Sequence, residues 1–135
     1  MKPVDLYIRQ HRELAIQSQT LRAALRGPAL ENRAGEVRAQ LSRFAGTLSV
    51  HLAMEDKQLY PLLANDERPS VADAAKRFAL EMLPLASEVK DHSSRWQTKN
   101  IREDATSFVS STTALLDRLA QRMSREEAEL YPFFQ

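Results

Sequence analysis

His51-Leu-Ala-Met-Glu55-Asp-Lys-Gln-Leu59-Tyr60-Pro61 sets a histidine and a carboxylate four residues apart within a run of helical periodicity. Residues at i and i+4 share one face of a helix. The apolar positions around this stretch, Val37, Leu41, Phe44, Leu48, Leu52, Leu59 and Leu62, keep a period that runs through His51 and Glu55. Both side chains are therefore expected to point inward, at places where leucine would ordinarily stand. The stretch has an echo near the C-terminus, Arg122-Met-Ser-Arg-Glu126-Glu-Ala-Glu-Leu130-Tyr131-Pro132, in which Leu-Tyr-Pro recurs and Glu126 takes the place of Glu55. Arg122 stands where a second histidine would be.

Working outward, the chain has 135 residues, the usual size of one domain, and residues 1–135 are read as one. It contains no cysteine, so a disulfide framework and a thiolate metal site are both excluded, and any metal must be held by nitrogen and oxygen. Lys plus Arg (19) and Asp plus Glu (18) nearly cancel, and the basic residues are interspersed with acidic ones. Nucleic acid is not expected as a partner, because neutralising phosphates requires a concentrated basic face. The N-terminus lacks the apolar centre of a signal peptide and no apolar run approaches a membrane span, so no membrane association is expected and the location is read as cytoplasmic. Gly is scarce (3 residues), and stretches rich in Ala, Leu, Glu, Arg and Gln favour helix; the fold class is all-α.

The periodicity predicts four helices. The first runs from near Pro3 to Gly27-Pro28, with an inward stripe of Val4, Tyr7, Ile8, His11, Leu14, Ala15, Leu21 and Leu25. The second starts between Asn32 and Glu36 and carries His51 and Glu55, with a kink or an end just beyond Tyr60 because Pro61 has no amide proton. A polar loop at Asn65 to Ser70 precedes a third helix, with Ser70 as its cap, a stripe of Val71, Ala75, Phe78, Met82, Leu85, Val89, His92 and Trp96, and a distortion at Pro84. A fourth follows Asn100 and carries Ile101, Ala105, Phe108, Thr112, Leu115, Leu119, Arg122 and Glu126. Four amphipathic helices with short connections pack as an up-down-up-down bundle. The two halves form a weak internal repeat, and a pseudo-twofold bundle would bring His11, His51, Glu55, His92, Arg122 and Glu126 toward one central layer.

This ordered set resembles the hemerythrin-like, or HHE cation-binding, family over essentially the whole chain. The family pattern places one His on the first helix, His-x-x-x-Glu on the second, one His on the third and His-x-x-x-Glu on the fourth. His11, His51 with Glu55, His92, and Glu126 match five of those six positions in order, and Arg122 departs from the sixth. The resemblance implies a metal set of His11, His51, Glu55, His92 and Glu126 around a non-haem centre of one or two iron ions, with zinc or manganese also compatible. It further implies binding or sensing of oxygen, nitric oxide or peroxide, and a binding protein rather than a classical enzyme. Tyr60 and Tyr131 are read chiefly as packing at the bundle end, each hydroxyl reaching a polar partner.

Arginine offers only donors and stays protonated, so it cannot replace a ligand. Three outcomes stay open. One metal is held by His11, His51, Glu55 and Glu126; or Glu88 or Glu127 replaces the lost ligand of a second metal; or there is no metal and Arg122 supplies the positive charge by pairing with Glu126 or Glu55. The last makes the protein a metal-free helical module that docks a partner. A homodimer or an unidentified protein partner is compatible with either chemistry.

Overall fold

The computed structural model describes residues 2–134. Four long helices, α1 (Pro3–Arg26), α2 (Ala34–Met54), α4 (Pro69–Arg95) and α6 (Ala105–Glu129), form the bundle, and two short ones, α3 (Tyr60–Ala64) and α5 (Thr98–Glu103), lie in the connections. There is no strand among the described residues. The contacts run antiparallel between chain neighbours. Tyr7 reaches Met54 and His11 reaches His51 across α1 and α2, while Arg122 pairs with Glu81, Arg118 with Glu88 and His92 with Thr112 across α4 and α6. Arg22 with Asp117 and His11 with Glu127 tie α1 to α6 in the same antiparallel sense. This is the expected up-down-up-down order.

The inward stripes explain the packing. Val4, Tyr7, Leu14, Leu21 and Leu25 from α1 and Val37, Leu41, Phe44 and Leu48 from α2 share one core with Val71, Phe78, Met82 and Leu85 from α4 and Phe108, Leu115 and Leu119 from α6. Ala15, placed on the α1 stripe by its period, is exposed. Pro at the first position starts both α1 and α4, where its missing N–H is no loss. For that reason α4 begins one residue before Ser70, and Ser70 lies inside the helix instead of capping it. Pro84 leaves α4 continuous. The segment after Asn100 divides into α5 and α6 because Asp104 leaves helical geometry and its side chain accepts the Ser107 amide, capping a new helix. No helix among the described residues is long and apolar enough to cross a membrane.

The distortion expected beyond Tyr60 lies before it. Residues Glu55–Leu59 form a π-helical turn, and the Tyr60 amide donates five residues back to the Glu55 carbonyl. The helix then continues through Pro61 to Ala64. A proline ring crowds the turn that precedes it, so the wider turn relieves the strain on its N-terminal side. In a regular α-helix residues five apart lie on different faces; the π turn brings Glu55 and Tyr60 onto the same side, and both are buried.

Candidate metal centre

Each long helix supplies its inward residue by simple period, and three of the four bring a metal-ligand type to one level of the bundle. His11 comes from α1, His51 from α2, Glu55 from the first position of the π turn and Glu126 from the last turns of α6. All four are buried. One ligand atom from each lies within 4.8 Å of the others. His11 Nε2 and His51 Nε2 are 3.0 Å apart, His11 Nε2 is 3.3 Å from Glu126 Oε1, and His51 Nε2 is 3.3 Å from Glu55 Oε1.

The outer atoms fix the chemistry of the inner ones. The Nδ1–H of His51 donates to Gln10 Oε1 at 2.6 Å, and the Nδ1–H of His11 donates to Glu127 Oε2 at 3.2 Å. A neutral imidazole whose Nδ1 carries the proton presents a lone pair at Nε2. Both lone pairs face into the cluster. Tyr60 donates to Glu126 Oε2 at 2.5 Å, and Tyr131 donates to Glu55 Oε2 at 2.7 Å, with its oxygen 2.9 Å from His11 Nε2. Glu55 Oε1 and Glu126 Oε1, both buried, have no hydrogen-bond partner.

Four electron-pair donors thus converge with few protons among them. Burial pushes the Glu55 carboxyl above its ordinary value and Glu126 up to about 7, their mutual repulsion adding to the rise in Glu126. Burial and the nearby His11 charge push His51 down to about 4. Burial would also lower His11, but its contacts with Glu126 and Glu127 outweigh burial and raise it. Of the four groups, only His11 is shifted toward its charged form; the other three are shifted toward neutrality. Two imidazole nitrogens and two carboxylate oxygens, the latter buried and unpartnered, are a donor set that could hold a divalent first-row metal.

His92 is not brought to this group. Its Nε2 lies 2.8 Å from Thr112 Oγ1, its ring stacks at 6.2 Å on Phe108, and burial, with Arg95 and Arg118 near, lowers its pKa. Thr112 and Glu126 are separated along α6 by roughly 20 Å at the helical rise. The level of Glu126 is met from α4 by Phe78, which lies beneath the guanidinium groups of Arg122 and Arg125. Arg122 donates to Glu81 at the bundle surface and Glu88 pairs with Arg118, so none of these four joins the cluster. Glu127, half exposed, touches it only through His11.

Sequence reasoning left Gln10, Tyr60 and Tyr131 outside the site. The two tyrosines carried a signal: Glu-x-x-x-Leu-Tyr-Pro occurs at Glu55–Pro61 and again at Glu126–Pro132, so each carboxylate has a tyrosine five residues on. The hydroxyls cross over, each tyrosine serving the carboxylate of the other half. No curated protein and no solved structure matches the chain. The family model of the hemerythrin HHE cation-binding domain matches residues 2–134, and on that match the chain belongs to this family.

Proposed function

We propose that the protein binds one non-haem metal ion, iron in preference, through His11, His51, Glu55 and Glu126, and through it a small ligand such as oxygen, nitric oxide or a peroxide. The observation that carries this reading is the convergence of two Nε2 lone pairs and two unpartnered carboxylate oxygens in a buried space. A bound iron would supply a redox-active Lewis acid with coordination positions beyond its four protein donors. The chain's own residues orient those donors. Gln10 and Glu127 hold the imidazole tautomers, and Tyr60 and Tyr131 hold the carboxylates. A cavity of about 270 Å³ between α1 and α6 has His11 in its wall and small side chains, Ala15, Ser18, Ala120 and Ser124, around it. Of the four donors only His11 lines it, so it borders the cluster on the side of α1 and α6.

A single ion is favoured over two because Phe78 and the Arg122–Glu81 pair stand where further ligands would be needed. The metal-free module, in which Arg122 replaces the metal charge, is disfavoured by the direction of Arg122 toward Glu81 and away from Glu55 and Glu126. Elemental analysis of tag-free protein from iron-supplemented cells tests the reading. Close to one iron per chain, lost in Glu55→Ala, is expected. Near two would restore the di-iron centre, and none in either protein would return the metal-free module.

A further inference from the structure

Each carboxylate of the cluster has one oxygen engaged by a buried tyrosine and one without a partner. A carboxylate with both oxygens free can chelate one ion through both, or bridge two ions with one oxygen on each. Either mode needs Oε2. Here Glu55 Oε2 accepts from Tyr131 at 2.7 Å, and Glu126 Oε2 accepts from Tyr60 at 2.5 Å. Oε1 of each is left aimed at an imidazole, 3.3 Å from Nε2.

We propose that Tyr60 and Tyr131 are positioning residues that restrict Glu55 and Glu126 to ligation through one oxygen, and thereby set how many donors, and how many ions, the cluster presents. This deepens the metal-binding reading and rests on it. The tyrosines can impose the restriction because they are themselves fixed. Tyr60 is 4 % exposed and Tyr131 2 %, and Tyr131 packs its ring against His11 and Tyr7 at 5.1 and 6.0 Å. The π turn aims Tyr60, the first residue of α3, inward, whereas Tyr131 reaches the site from a 3₁₀ turn after α6. Because the hydroxyls cross between the halves, freeing one carboxylate leaves the other held. Two nitrogens and two single oxygens suit ions content with four or five ligands; releasing Oε2 on both carboxylates adds up to two donors and shifts the site toward ions that demand six.

Cobalt(II) reports the difference directly, since four- and five-coordinate cobalt absorbs visible light several-fold more strongly than six-coordinate cobalt. The wild-type protein and the variants Tyr60→Phe, Tyr131→Phe and the double variant are loaded with cobalt(II), and the absorbance per bound ion is recorded. The relative affinity for manganese(II) over zinc(II) is measured alongside. The expected result is a strong band in the wild type, a stepwise several-fold fall through the single to the double variant, and a manganese preference raised about tenfold. A purely structural role would lower melting temperature and weaken all ions together, leaving the band per bound cobalt unchanged; that result overturns the proposal. A wild-type protein that takes up no cobalt, zinc or manganese overturns the metal-binding reading, and the positioning role with it. Should the double variant fail to fold, the single variants decide, because each removes one oxygen atom from a packed ring.

Discussion

Glu126 shows how function and stability pull against each other at one residue. It is fully buried, its carboxyl is pushed up to about 7, and its Oε1 lacks a partner. At pH 8 the metal-free protein must hold this group ionised beside Glu55. Glu126→Gln removes the charge, keeps an oxygen for Tyr60, and gives an amide that can donate to His11 Nε2 or Glu55 Oε1. Denaturant unfolding at pH 8 with a chelator should find the variant about 1–2 kcal/mol more stable than the wild type, while its metal affinity falls at least tenfold. A variant less stable than wild type under these conditions would mean that the carboxylate is satisfied without metal. Arg122 makes the complementary case. Its pair with Glu81 is partly exposed, and Arg125 reaches the same carboxylate at 3.5 Å, so Arg122→His should cost only about 1 kcal/mol. Elemental analysis should find no second metal in it, since Phe78 and not a ligand faces that level; a gain of a second ion would contradict the single-ion reading.

Among the elements, the α1–α6 seam opens a space that reaches one of the donors, His11. Small residues on both helices leave the cavity beside His11, and Ala120 is an exposed position in its wall. Ala120→Phe should fill that space beside His11 and stay clear of His51, Glu55 and Glu126, none of which lines it. Stopped-flow uptake of cobalt(II) should slow by an order of magnitude with little change in equilibrium affinity; an unchanged rate would place the route elsewhere. The elements also show what the sequence could and could not reveal. The helices and their order follow from apolar period, because burial on one face is a local pattern. Depth along the bundle is not local, and that is why His92 was grouped with the others. Yet helix lengths carried the information: His92 lies one turn from the end of α4 at Arg95, whereas Glu126 lies roughly six turns into α6, which starts from Ala105 at the same end of the bundle. The π turn was legible only as a proline-induced disturbance, since the side on which strain is relieved depends on packing. Gln10 was invisible as a hydrogen-bond acceptor because its partner, His51, lies on another helix.

For the whole molecule, the four titrating groups of one cluster make stability depend on pH in a way that metal should reverse. In the metal-free protein the raised pKa of Glu126, about 7 against an ordinary 4.5, means that the folded state keeps a proton the unfolded chain has released. Its contribution is therefore lost as pH rises through that window, by up to about 3 kcal/mol, and Glu55, also raised, acts in the same direction. His51 opposes them. Lowered to about 4 from 6.5, it is neutral when folded and protonated when unfolded, so stability rises with pH across that interval. Above pH 6.5 this opposing gain is complete, while His11, held above 6.5 by Glu126 and Glu127, adds a further loss. Metal-free protein should accordingly vary little in melting temperature from pH 5 to 6.5 and then decline toward pH 8. Metal binding requires all four donors deprotonated, so its affinity strengthens over the same range, and a ligand bound only to the folded state stabilises it by mass action. Paired melts with chelator and with excess metal should show the metal-induced increment in melting temperature widening steadily between pH 5.5 and 8. An increment that stays constant across that range would mean that protons and metal do not compete for these side chains.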